Sequence, residues 1–328
     1  MEQTPTSDVA IIGAGPAGLF AAFYAGLRSL RVRVFEALPF VGGQVAALYP
    51  EKTILDVGGF PAISGAELVS ALERQARRAA PAFHLDEAVT GMRRADAGFV
   101  LSSPRGEYQA RAVIVAVGVG RFAPRQTGVP GVDRWEGQGI LRTVHNVGSY
   151  RGGRVLVVGG GDSALDWAAE LAEAGALVTL VHRREEFRGL EASLTRAERA
   201  GVQVRRSTVV DGLAGNGRPE RALLRHVGSG QSEEVRCDAV VLALGFVADL
   251  SVVRRWGLPL EGRGIVVAPD TLAAAPGVFA IGDAVTYPGK LKLIATAFAE
   301  AALAVSAAST FLDPSTRLQS VHSTAVLP

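Results

Sequence analysis

One cysteine, Cys237, stands in 328 residues, so no internal disulfide and no cysteine-based metal site can form. Nor is there an excess of one charge. Lys and Arg number 34 against 32 Asp and Glu, a net charge of +2, which excludes the basic footprint of a nucleic-acid binder but leaves room for a local basic patch facing an acidic protein. The chain does not open on a charged region followed by an apolar core and a cleavage site, so no signal peptide is expected. Its longest apolar helical stretch, Leu291–Phe311, is broken by Lys292 and Glu300, a pair that a membrane span rarely carries. The expectation is a cytoplasmic chain with no membrane, nucleic-acid or metal site. With 48% hydrophobic and 20% charged residues, it has the balance of a globular protein and the length for two cores.

What is present begins at Asp8–Ala37, DVAIIGAGPAGLFAAFYAGLRSLRVRVFEA. Val9–Ile12 reads as a buried parallel strand. Gly13, Gly15 and Gly18 follow at GxGxxG spacing, then a helical stretch, then a strand at Arg31–Phe35 closed by Glu36. Glycines let the backbone turn tightly and approach a pyrophosphate at a helix N-terminus, and an acid at Glu36 can accept a ribose hydroxyl. The alternative is a Gly-rich turn in an unrelated α/β domain.

Pro39–Pro61 is a Gly- and Pro-rich loop, too long to be idle in a compact enzyme. Ala66–Ala79 has helical spacing. Phe83–Leu85, Ala88–Met92, Phe99–Leu101 and Glu107–Ala110 are expected to form a small antiparallel layer, and Ala112–Val117 is an apolar strand. After a hinge-like stretch, Arg121–Pro130, the pattern starts again. Arg154–Val158 is a strand, followed by GGGDSA at Gly159–Ala164, a helix over Ser163–Ala174 and a strand at Leu177–Val181. Gly159, Gly161 and Ala164 give GxGxxA, a second dinucleotide fold within one chain. Its second strand ends in His182, Arg183 and Arg184 instead of an acid, with Arg188 close behind. Arginines at that place favour a 2′-phosphate; the alternative is a solvated charge run.

Gln203–Val235 alternates like antiparallel strands, Ala239–Leu244 and Val278–Ile281 are buried strands, and a last helix runs to about Phe311. The fold class is therefore α/β, with two Rossmann-like dinucleotide-binding domains, each with a small antiparallel β layer. Residues 121–248 are inserted between 1–120 and 249–328.

Several long stretches carry a more specific resemblance: GGQVAALYPEKTILDVGGFP at Gly42–Pro61, VLVVGGGDSALDWA at Val155–Ala168, VHRREEFR at Val181–Arg188, IGDAVTYPGKLKLIATAFAEAALA at Ile281–Ala304, and the His322–Ser323 tail. Over essentially its whole length the chain resembles the thioredoxin-reductase-like type of ferredoxin (flavodoxin)–NADP reductase. The resemblance implies FAD in the first domain and NADP(H) in the inserted one. It places Gly13, Gly15, Gly18 and Glu36 at the FAD pyrophosphate and adenosine ribose, and Gln44 near the flavin. Val89 and Phe122 become backbone or packing contacts, and Asp283 meets the ribityl–phosphate part. Thr324 falls where the family usually has Ser. Tyr49 and His322 match the rings that cover the two faces of the flavin. For Tyr49 the alternative is a loop aromatic filling the core, for His322 a frayed tail, and for Asp283 a cap on the helix that follows. The tail here also ends soon after His322 and differs from the Ser-rich ending of the family. On the NADP(H) side the match covers Gly159, Gly161, Asp162, Ser163, Ala164, His182, Arg183, Arg184 and Arg188.

No residue presents itself as an acid, base or nucleophile, and the resemblance requires none: NADPH passes a hydride to the flavin, which releases electrons singly to a ferredoxin or flavodoxin. Contact between the two rings calls for movement at hinges near Arg121–Arg125 and Phe246–Asp249. Thioredoxin reductase shares the layout but needs a CxxC pair, and the corresponding stretch WEGQGILRTVHNVGSY, Trp135–Tyr150, has no cysteine. Cys237 reads as an inert thiol in a strand over Val235–Leu242. Lys52, Lys290 and Lys292 are expected to form a positive rim near the flavin for the electron carrier; the alternative is that they are ordinary solvated charges. By resemblance the chain is a homodimer. Reduction of another acceptor, or a non-catalytic NADPH-sensing role, are the competing functions.

Overall fold

The computed structural model describes residues 6–124, 127–129, 132–144 and 146–316. The chain divides into two compact units, Met1–Phe122 with Ala248–Pro328, and Ala123–Val247 between them. The strands at the two crossings, Arg121–Pro124 and Phe246–Asp249, pair with each other.

The first unit is built on a sheet whose parallel strands lie in the order Val278–Ala280, Gly106–Val115, Ser7–Ile12, Val32–Phe35 and Ala82–His84, with Ala273–Ala275 antiparallel at one edge. The inner strands are apolar on both faces because both faces are covered. Val9 and Ile11 point to one side with Val32, Val34, Ala112 and Ile114, and meet the helices Pro16–Leu27, Gly65–Arg77 and Ile294–Leu312. Ala10, Ile12, Phe35, Val113 and Val115 point to the other side and meet the antiparallel layer. Ser64 begins the helix Gly65–Arg77 with a capping box: its hydroxyl accepts the Glu67 N–H while the Glu67 carboxylate accepts the Ser64 N–H.

Two expectations change here. Ala82–His84 joins the parallel sheet beside Val32–Phe35 instead of the antiparallel layer, because the preceding helix carries the chain back across the sheet as a parallel crossover. Gly106–Val115 is one ten-residue strand, not two. Its first half pairs antiparallel with Gly98–Ser103 and its second half parallel with Ser7–Ile12. Exposed Arg111 interrupts the apolar pattern without interrupting the strand.

The helix Ile294–Leu312 is long and apolar enough to cross a membrane by length and composition, and half of that window is buried inside the unit. It lies on Pro16–Leu27, with Phe298 and Phe20 ring centres 5.1 Å apart and the Arg28 guanidinium donating to the Ser306 hydroxyl at 3.0 Å.

The second unit repeats the plan. Its parallel sheet runs Ile140–Leu141, Ala239–Ala243, Arg154–Gly159, Leu177–Val181, Gln203–Arg205, with the helices Asp162–Glu173 and Glu191–Arg199 against it. The antiparallel layer is Thr208–Ala214, Arg221–His226 and Ser232–Arg236. Gln203–Arg205, expected in that layer, pairs parallel with Leu177–Val181. A three-residue strand looks the same from sequence in either sheet, and only the helix before it decides the direction of return.

Candidate dinucleotide sites

The first glycine loop follows directly from the strand Ser7–Ile12. Gly13 has φ +109°, and a Cβ built on it would lie 2.3 Å from the Ala116 carbonyl oxygen. A Cβ on Gly18 would lie 1.9 Å from the Gly13 carbonyl oxygen, so the helix packs on the loop only through glycine. Gly15 differs: a Cβ there would meet nothing within 4 Å. It is the N-cap of Pro16–Leu27, which has no side-chain cap and no acid in its first turn. The uncovered N–H groups and the space above Gly15 form a cradle of the kind that takes an anionic pyrophosphate.

Glu36 closes the strand Val32–Phe35 and is buried, and burial pushes its carboxyl above the ordinary value. Its two oxygens accept the Ala14 N–H at 2.8 Å and the Leu38 N–H at 3.0 Å. It therefore fastens the glycine loop, with acceptor capacity left for hydroxyl groups. Val89 sits beside it, since the Glu87 N–H bonds to the Glu36 carbonyl at 2.8 Å. The Val89 side chain is core, while its backbone N–H and C=O have no partner among the described residues.

The Gly42–Gly43–Gln44 run docks onto the same loop. The Gly42 N–H donates to the Ala14 carbonyl at 2.8 Å, and a Cβ on Gly43 would lie 3.1 Å from the Gly15 Cα. Gln44 rides on a short helix, Gly43–Leu48, with its amide nitrogen 2.9 Å from where a Cβ of Gly118 would be. Tyr49 ends that helix, half-buried against the core. Burial raises its phenol, and the charges of Asp283 and Asp56 raise it further, which brings Tyr49 and Asp283 to one locality.

Asp283 lies in the 3₁₀ turn Gly282–Ala284, and a Cβ on Gly282 would come 3.3 Å from the Ala17 Cβ. The turn is therefore at the start of Pro16–Leu27. Its carboxylate accepts no hydrogen bond among the described residues. It does not cap the helix that follows, which starts at Ile294 with Leu293 as its N-cap. Phe122 lies in the strand Arg121–Pro124 and its side chain is outside the described part, as are residues His322 and Thr324.

In the second unit, a Cβ on Gly159 would lie 2.4 Å from the Ala243 carbonyl oxygen and 2.7 Å from the Ala164 Cβ, and Gly161 again opens on space with nothing within 4 Å. Gly161 is the N-cap of Asp162–Glu173 and has no side-chain cap. Asp162 spends one oxygen on the Leu190 N–H at 2.8 Å, and Ser163 is exposed. His182 is buried directly beneath Gly160, its Nε2 3.1 Å from the Glu186 carbonyl oxygen and its ring 4.9 Å from that of Phe187. It supports the loop from below. Arg183, Arg184 and Arg188 are exposed and have no ion-pair partner among the described residues. The Arg188 N–H donates to the Gly160 carbonyl at 2.8 Å, so the arginine segment folds over the glycine loop.

Two open glycine cradles on strand–helix junctions, one per unit, match a known pattern. Residues 7–301 fit the pyridine nucleotide-disulphide oxidoreductase family. The chain belongs to that family. It is 42% identical over 327 residues to a ferredoxin–NADP reductase of Geobacillus kaustophilus, covering 99% of this chain and 98% of the relative. It is 43% identical over 321 residues to one from a Nocardioides species, covering 96% of each. In fold it is similar to the thioredoxin reductase of T. acidophilum, with a TM-score of 0.80 over 94% of this chain and 99% of that one at 24% identity.

Against this family background, Cys237 has no second thiol to relay electrons to. It lies between the strands Ser232–Arg236 and Ala239–Ala243, not within one, and burial with the neighbouring Asp238 charge pushes its thiol up to about 11. The expected lysine rim is corrected at Lys290. Lys290 is enclosed, 6% exposed at the side chain, and paired with Glu300; Lys52 is half-buried and partnered; Lys292 is exposed. Glu300 is the residue that sequence reasoning missed. It was visible there as a lone acid in an apolar helix, and the structure places it 2% exposed with its oxygens on the Gly282–Lys290 segment.

Proposed function

We propose that this chain is an FAD-dependent oxidoreductase that moves electrons between NADPH and a ferredoxin or flavodoxin. The observation that carries the reading is the pair of glycine cradles, one per unit, the second flanked by three exposed arginines with no ion-pair partner among the described residues. FAD supplies the conversion between a two-electron hydride donor and one-electron acceptors.

The first unit is the FAD domain. Gly13, Gly15 and Gly18 admit the pyrophosphate to the uncapped helix end, Glu36 accepts from the ribose, and the Val89 backbone offers a donor and an acceptor to the adenine edge. Gln44 and Tyr49 lie on the flavin side with Asp283, and the resemblance assigns His322, Thr324 and the Phe122 side chain, which lie outside the described part, to the same cofactor. The second unit is the NADP(H) domain, with Gly159, Gly161, Ala164, Asp162 and Ser163 at the phosphates. Arg183, Arg184 and Arg188 hold the 2′-phosphate and His182 shapes the loop beneath it. The protein supplies position and charge, with no acid–base step of its own.

Without a second thiol, electrons leave from the flavin to a carrier that docks transiently. A homodimer in the cytoplasm completes the reading. The test is NADPH-driven reduction of a ferredoxin and of a flavodoxin at about 0.02 and 0.3 M salt, where charge steering predicts a slower reaction at the higher salt. Reduction of small neutral acceptors should change far less. Failure to reduce either carrier, with another acceptor reduced rapidly, would replace the carrier assignment and leave the two cofactor sites standing.

A further inference from the structure

Glu300 is a carboxylate in the apolar helix Ile294–Leu312, and burying such a group is costly unless its oxygens are bonded and its charge is matched. Both conditions are met by one stretch of chain. The Gly282 N–H donates to Oε2 at 2.7 Å, the Tyr287 hydroxyl donates to Oε1 at 2.6 Å, and the Lys290 ammonium pairs with Oε1. The Lys290 ammonium also lies 5.8 Å from the Tyr287 ring centre. Burial and the Glu300 bond push the Tyr287 phenol up to about 12, so it stays a donor at any ordinary pH. A single side chain thus closes both ends of the segment from Gly282 to Lys290.

Asp283 is the next residue after the anchored Gly282, which turns at φ +75°. It is the sole acid in that segment, and its carboxylate has no hydrogen-bond partner among the described residues. With Lys290 neutralised by Glu300, nothing within the segment competes for Asp283. If the Glu300 charge is removed, the enclosed ammonium loses its ion-pair partner, and Asp283 is the one acid in the segment.

We propose that Glu300 is a positioning residue for the flavin cofactor: it anchors Gly282 and sequesters Lys290, so that Asp283 is held in place and unpaired as an acceptor for the cofactor's hydroxyl groups. This rests on the FAD reading above. It accounts for an acid in an apolar helix that otherwise costs stability, and it gives the enclosed lysine a role other than carrier docking.

The test measures FAD affinity of the apo-protein by flavin fluorescence quenching, the absorbance bands of the bound flavin, and the thermal midpoint of the apo chain. E300Q should weaken FAD binding at least about tenfold and shift the flavin bands, because the freed ammonium competes for Asp283. Adding K290M to E300Q should restore affinity to within about threefold of wild type, a rescue that generic damage to the helix does not give. In the same lysine-free background, K290M/E300A should bind FAD at least about tenfold more weakly than K290M/E300Q, since alanine leaves the Gly282 N–H unanchored. The inference is overturned if E300Q folds and binds FAD like wild type, or if K290M fails to rescue it. Should E300Q not fold, the two lysine-free variants decide, and equal affinities overturn it. A wild-type chain that takes up no FAD would remove the FAD reading itself, a result distinct from variants that bind as well as wild type.

Discussion

The imidazole of His182 lies so close beneath Gly160 that a Cβ at Gly160 would sit 2.1 Å from its Cε1. No side chain larger than hydrogen fits between the glycine loop and its support. Gly160→Ala should therefore displace the ring or the loop at a cost of about 1–3 kcal/mol, and raise the KM for NADPH by about tenfold or more. FAD content should stay at wild-type level, because the first unit holds it. Steady-state kinetics and flavin absorbance on one preparation check both statements.

Gly15 and Gly18 should respond differently to valine. Gly15 has extended backbone and open space where a side chain would go, so Gly15→Val should fold and lose its yellow colour. Gly18→Val drives a side chain into the Gly13 carbonyl, and should fail to fold or melt far lower. Circular dichroism separates the two, and full FAD occupancy in Gly15→Val would end the pyrophosphate assignment.

Arg183 and Arg184 carry the coenzyme preference in this reading. A hydrogen bond to a charged group contributes about 1.5–3 kcal/mol, or about 10- to 150-fold per arginine. Arg183→Ala with Arg184→Ala should cost NADPH at least about a hundredfold in affinity and leave NADH almost unchanged. Equal losses for both coenzymes would show that the arginines only support the fold.

His182 makes the stability of the second unit pH-dependent. Burial holds its imidazole below the ordinary value of 6.5, and the nearby Arg183, Arg184 and Arg188 charges lower it further against the opposing Glu186 bond. The unfolded chain therefore takes up a proton on acidification that the folded chain refuses. This stability is fully present above about pH 6.5 and is lost as pH falls below it toward the lowered folded value. Thermal melts between pH 7.5 and 5.5, at about half-unit steps, should slope more steeply for wild type than for His182→Gln. Parallel slopes would rule His182 out as the source.

Cys237 should be silent toward thiol reagents in the folded protein. With its thiol pushed up to about 11, the thiolate fraction at pH 8 is about 0.1%, and the side chain is buried besides. One thiol should titrate with a disulfide reagent in denaturant and almost none without it. Rapid native labelling would contradict the burial.

The sequence alone determined the strand–glycine–helix junctions at Gly13–Gly18 and Gly159–Ala164, the acid after one and the arginines after the other. These are local statements: a tight turn, an uncapped helix end and a charge at the next strand end are each written within about thirty residues. Tertiary structure decided what depends on partners far along the chain. It sent Ala82–His84 and Gln203–Arg205 into parallel sheets, because a short strand takes its direction from the crossover before it. It showed that the helix following Asp283 starts instead from Leu293, and it turned Lys290 inward. Glu300 looked like a flaw in an apolar helix until folding brought Gly282, Tyr287 and Lys290 to its oxygens. A buried charge can be understood only from the groups that surround it, and those groups meet it only once the chain has folded.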